Sequence, residues 1–164
     1  MRIRHIISAT VFAAVYVITG QFVHLIPNPM VPGAIIALNM VVIVIAGILF
    51  GPGVGAIVGL AGTAVNGFLT ASGNPFEQAA VIPHIIMGIA AGLAARRSVM
   101  TGSLTILVGH GLNVYVFLAR GLMPADTVFG PLFLSGLLFE TVVDVVVVLF
   151  AVPLLRPLLK PAQA

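Results

Sequence analysis

The chain has no cysteine and no tryptophan, and only 7 % of its 164 residues carry charge. Without cysteine there is no disulfide framework, no thiolate metal site and no cysteine nucleophile. So little charge excludes an ordinary soluble domain, in which about a quarter of the residues are Asp, Glu, Lys or Arg. Without tryptophan, any interfacial aromatic belt rests on Tyr16, Tyr115 and ten phenylalanines. Signatures of catalysis are missing as well. No P-loop G-x-x-x-x-G-K-[ST], no H-E-x-x-H or other metal-ligand spacing and no G-x-S-x-G occurs. The chain is therefore read as a non-enzyme that does not hydrolyse ATP itself, with no catalytic residue, no metal ligand and no bound cofactor. "GPGVGAIVG" follows no strand, so its glycines are read as helix packing rather than a dinucleotide loop. No nucleic-acid-binding pattern is present.

What is present is apolar: 60 % of the residues are hydrophobic. The fold class expected is all-α integral membrane, one compact domain over residues 1–164 in a lipid bilayer. Six transmembrane helices are expected, at about 6–26, 33–50, 54–71, 78–95, 102–119 and 128–152. The breaks are "PNPMVP", Gly51-Pro52, "ASGNP", Arg96-Arg97, Arg120 with "GLMP", and Pro153. The start resembles a signal peptide, but its apolar run continues to Ile26, so an uncleaved first span is expected. With the N-terminus inside, Arg2, Arg4, Arg96, Arg97, Arg156 and Lys160 are cytoplasmic and only Arg120 is outside. That bias obeys the positive-inside rule and places both termini in the cytoplasm.

Small residues recur at helical spacing. Ala9 and Ala13, Gly51, Gly55 and Gly59, and Gly88 and Gly92 are each four apart. Such stripes let backbones approach closely. For helices three and four the expected use is packing within the bundle. For helix one, Ala9 and Ala13 could instead face a partner protein.

Ionisable groups inside apolar spans are costly and point to function. "LLFETVVDVVVVLF" places Glu140 and Asp144 four apart, on one helix face. His110 and Asn113 share a face of helix five. His84, Asn66, Asn39, Tyr16 and Gln21 fall at similar depths on other helices, with Phe117 above Asn113. If these groups face one another they line a cavity open to the outside, a few polar groups in an apolar wall. They could equally tie helices together. His110, Glu140 and Asp144 are also the right types for a proton path. Substrate-binding candidates are thus Glu140, His110, Asn113, His84, Asn66, Asn39, Phe117 and Tyr16, with Asp144 an internal partner. Phe76 and Tyr115 are further stacking candidates, and Arg120 stands at the rim.

These features together resemble the substrate-binding S components of energy-coupling factor (ECF) vitamin transporters. The resemblance rests on the six-helix size and orientation, on Ala9-x-x-x-Ala13 and on the "IP…VPG" loop. It rests also on "ILFGPGVGAIVGLAGTAVNGFL" and "PFEQAAVIPHIIMGIAAGLAARR". It implies a multi-pass protein of the prokaryotic plasma (inner) membrane that captures a vitamin or precursor from outside. It also implies two kinds of partner, a transmembrane T component contacted through Ala9 and Ala13, and two cytoplasmic ATPases that use the ATP. No lysine or arginine stands among the candidates except Arg120, which favours a neutral or cationic heterocycle over a polyanion. A stand-alone proton-coupled transporter or oligomeric channel is the alternative.

Overall fold

The computed structural model describes residues 3–31, 35–69 and 74–159. These residues are helical throughout, apart from connections and a single bridge between Pro27 and Ile35. The helices are α1 (Ile3–Phe22), α2 (Asn39–Phe50), α3 (Pro52–Phe68), α4 (Pro75–Ala94), α5 (Val99–Ser103), α6 (Ile106–Ala119), α7 (Ala125–Val128) and α8 (Pro131–Leu158). Four segments are long and apolar enough to cross a membrane: Ile3–Phe22, Pro75–Ala94, Val99–Ala119 and Pro131–Leu158.

The other two are shorter. α2 has 12 residues, about 18 Å at 1.5 Å per residue. Every residue from Asn39 to Ile48 is buried, so α2 is the central helix, apolar all round and wrapped by the rest. The helix expected to begin near residue 33 begins only at Asn39. Residues 35–38 are not helical. Ile36 N–H donates to the Ile26 carbonyl at 3.0 Å, and Ala37 N–H donates to Glu140. These bonds replace the helical ones and hold the chain extended. Pro32 and Gly33 of that loop, like Arg2 and Lys160, lie outside the described residues.

Proline and asparagine set the helix starts. Pro52, Pro75 and Pro131 occupy first-turn positions, where the missing N–H costs nothing. Asn74 caps α4 by accepting from the N–H groups of Phe76 and Glu77. Gly51, at φ 93°, makes the turn from α2 into α3 that a side chain would strain. Pro153 does not end the last helix. α8 runs on to Leu158 with Pro153 and Pro157 both inside it, each exposed and each removing one internal hydrogen bond. The fifth expected helix is broken at Leu104–Thr105, between α5 and α6.

α3 and α4 are in backbone contact. A Cβ on Gly59 would lie 2.6 Å from the His84 carbonyl oxygen, and Gly55 and Gly88 face each other's backbones directly. The glycine stripes thus serve packing, and they fix the height and rotation of His84. The alanine stripe of α1 is also turned inward. Ala9 is 3 % exposed and belongs to the core cluster, and Tyr16, seven residues on, is fully buried. Ala13 is half-buried, while Thr10 and Ala14 are exposed. Ala9 is therefore packed inside the isolated subunit. Its small size lets α1 approach its neighbours.

At the far end of the bundle the Arg4 guanidinium donates to the Leu159 carbonyl, which brings the start of α1 beside the end of α8.

Candidate functional site

A cavity of about 520 Å³ lies between α2, α4, α6 and α8. That volume is within the range of small-molecule sites, about 300–1,000 Å³. Its rim comes from connections at one end of the bundle, with Asn28, Val31 and Ile35 on one side, Asn74 on another, and Met123 and Thr127 on a third. Asn28 Nδ2 donates to the Gly136 carbonyl at 3.1 Å, which fastens the first connection onto α8. Apolar wall is supplied by Met40, Ala80, Val114, Phe133 and Leu137. Phe76 and Phe117 meet edge to face across 5.2 Å.

A buried polar chain runs behind one wall. Asn39 Nδ2 donates to Glu77 Oε1 at 3.1 Å, and the Tyr16 hydroxyl donates to Glu77 Oε2 at 2.9 Å. Thr63 Oγ1 stands 2.8 Å and Tyr16 Oη 3.2 Å from His84 Nδ1. Asn113 Nδ2 stands 3.3 Å from His84 Nε2. One assignment satisfies the chain: His84 is neutral, its Nδ1–H donates to Thr63 and its Nε2 accepts from Asn113. The amide oxygens of Asn39 and Asn113 remain without a donor among the described residues, although both are buried at the cavity.

A second cluster closes the inner end. His110 Nε2 lies 3.9 Å from Glu140 Oε1 and 3.9 Å from Asp144 Oδ2. Glu140 Oε1 accepts the Ala37 N–H at 2.8 Å. The Thr141 hydroxyl donates to the Leu137 carbonyl at 2.7 Å, so its oxygen is free to accept from His110 Nδ1 at 2.7 Å.

Of the residues expected to bind substrate, Glu140, His110, Asn113, His84, Asn39 and Phe117 line the cavity. Tyr16 and Asn66 do not. Tyr16 stands one layer back and holds Glu77 and His84. Asn66 accepts from Gln21 Nε2 at 2.6 Å and packs against Gly20. Asp144 is fully buried behind Glu140. Tyr115 is 69 % exposed and points away from the cavity. Arg120 is exposed and is not among the lining residues. Among the polar lining residues, Glu77, Asn28, Asn74 and Thr127 are not found by the sequence reading. Asn74-Pro75 looked like connection, so Glu77 two residues later looked like loop. The signal that finds it is the Asn-Pro cap, which starts a helix rather than ending one.

The family model of the ECF-type riboflavin transporter, S component, matches residues 1–160. No curated protein sequence and no solved structure matches the chain.

Proposed function

The chain belongs to the family of ECF-type riboflavin transporter S components, and from that premise we propose that it captures a neutral or cationic heterocyclic vitamin for an ATP-driven importer. Members of this family are multi-pass membrane proteins and transport subunits, not enzymes. The finer points are our reading. Six helices cross the bilayer, both termini are cytoplasmic, the whole chain is one domain and the cavity rim faces outward. The positive-inside bias and the Arg4–Leu159 contact support that orientation. A transmembrane T component and two ATPases complete the importer, since this chain carries no nucleotide motif.

The observation that carries the substrate class is the acceptor-rich, cation-free wall. Asn39, Asn113, Glu77 and Glu140 line the cavity, and no lysine or arginine lines it among the described residues. A ligand with N–H or O–H groups satisfies these acceptors, whereas a phosphate would meet buried carboxylates and no countercharge. Riboflavin, the cargo in the family's name, is such a ligand. It is uncharged, flat at one end and rich in hydroxyls at the other. Its ring would lie beside the Phe76–Phe117 pair.

The test is a titration of the purified subunit followed through flavin fluorescence, beside native mass spectrometry of gently extracted protein. Saturable one-to-one binding of riboflavin, with its phosphate ester at least about tenfold weaker, is the expected result. A co-purified heterocycle other than riboflavin would keep the role and change the cargo. An empty homo-oligomer whose uptake follows a proton gradient without ATPases would establish the stand-alone transporter instead.

A further inference from the structure

Three acceptor atoms converge at the inner end of the cavity, and two of them, His110 Nε2 and Asp144 Oδ2, have no donor among the described residues. Thr141 accepts the His110 Nδ1–H, because the Thr141 hydroxyl hydrogen is committed to the Leu137 carbonyl. That bond fixes the tautomer, so His110 Nε2 carries an unshared pair. It is aimed at two carboxylates, Glu140 Oε1 and Asp144 Oδ2, each 3.9 Å away. His110 is 5 % exposed and Asp144 0 %. His110 Nε2 and both Asp144 oxygens have no hydrogen-bond partner among the described residues. Among the described residues, no arginine or lysine enters an ion pair there. An uncompensated arrangement of this kind is strongly unfavourable in an apolar interior.

From this geometry we infer that His110, Glu140 and Asp144 bind a divalent cation of the first transition row at the inner end of the cavity. One imidazole nitrogen and two carboxylate oxygens is a common donor set for such ions, and the +2 charge cancels the two carboxylates. The three donor atoms lie within 4.8 Å of one another. Bonds of about 2.0–2.2 Å set donors roughly 3.0–3.4 Å apart, so the three atoms close by about half an ångström to one ångström or a little more, which side-chain rotation supplies. Thr141 is the outer partner that orients the histidine, as ligand histidines require. His110 and Glu140 also line the cavity, whereas Asp144 sits behind them. The ion's remaining coordination positions therefore face the cargo space, and a cargo carbonyl or ring nitrogen could occupy one. The absence of local ligand spacing in the sequence is explained by the geometry, since two helices supply the donors.

The site stands on its own residues and is tested without cargo. The subunit, carrying no polyhistidine tag, is stripped with chelator and titrated with Co²⁺ as a visible-absorption probe. One-to-one saturation with absorption bands of a four- or five-coordinate ion, displaced by Zn²⁺, is expected. Zn²⁺ should also raise the thermal unfolding midpoint. Asp144→Asn should weaken Co²⁺ binding by at least tenfold. Asp144→Glu, which keeps the carboxylate if Asn proves unstable, should retain binding with a shifted spectrum. His5→Gln, remote from the cluster, should change nothing. An intact wild-type subunit that gives no Co²⁺ spectrum overturns the site, and so do bands indifferent to both Asp144 variants or lost with His5. Loss of riboflavin binding with Co²⁺ binding intact would count against the cargo alone.

Discussion

The backbone N–H of Ala37 donates to Glu140 Oε1 at 2.8 Å, joining the extended residues before α2 to the middle of α8. A helix start leaves N–H groups without internal partners, and inside a membrane protein such groups must be satisfied by protein. Glu140 does this with one oxygen while its carboxylate also borders the cavity and the His110–Asp144 cluster. Structure and binding thus meet in one side chain, and substitutions should separate them. Glu140→Gln keeps an acceptor for Ala37 and removes the charge. Cargo affinity should fall about tenfold or more while the unfolding midpoint changes little. Glu140→Leu strands the N–H as well, at a cost of about 1–3 kcal/mol. Midpoints for Gln and Leu that fall together would show that the charge, not the acceptor, holds the two segments.

Tyr16 stands outside the cavity but closes the hydrogen-bond chain behind it. Its hydroxyl serves Glu77 and reaches His84. Tyr16→Phe preserves the ring, which packs against Gly62, and deletes only that hydroxyl. Glu77 Oε2 then loses a buried donor, so stability should drop by about 1–3 kcal/mol. Because Tyr16 does not line the cavity, Kd should shift less than it does in Glu77→Gln. Thermal unfolding in detergent and a binding titration on the same preparations decide it. A larger Kd change in Tyr16→Phe than in Glu77→Gln would put Tyr16 in the binding wall after all.

Much of the site was legible because ionisable groups in apolar runs are conspicuous. Glu140, His84, His110, Asn113 and Asn39 all stand at the cavity, as their depth along the chain suggested. Depth does not fix rotation. Asn66 lies at a similar depth and turns away, toward Gln21 and Gly20. Helices that are apolar nearly all round carry no strong periodic signal to tell the two cases apart. The same weakness hid the true start of α2. An apolar run reads through residues 35–38, while the long-range bonds to Ile26 and Glu140 that keep it extended are invisible in sequence.

The glycine contacts between α3 and α4 make opposite predictions for neighbouring positions. A methyl on Gly59 would meet the His84 carbonyl oxygen at 2.6 Å, and backbone cannot yield as a side chain can. Gly59→Ala should therefore cost about 1–3 kcal/mol and displace His84 from its partners. Gly53, in the first turn of the same helix, has nothing within 4 Å of such a methyl. Gly53→Ala should be neutral or stabilising by up to about 1 kcal/mol, since alanine is the better helix former. The pair of unfolding midpoints is the check. Equal midpoints would mean that α3 and α4 are not in backbone contact.

Ala9 supplies the last prediction, because burial changes what its substitution reports. With 3 % exposure and a place in the core, Ala9→Leu forces three extra carbons between α1 and its neighbours. Overpacking of this kind costs about 1–3 kcal/mol, so the isolated subunit should unfold at a lower temperature even with no partner present. Ala14→Leu, on the exposed face of α1, should leave that midpoint nearly unchanged. If α1 is the side on which a T component docks, Ala14→Leu should reduce its co-purification with no loss of subunit stability. The measurement is paired: thermal unfolding of the subunit alone, then recovery of the assembled importer. An Ala9→Leu subunit as stable as wild type that nevertheless fails to assemble would return the alanine stripe to the partner interface. It would also mean that α1 turns about its axis when the complex forms.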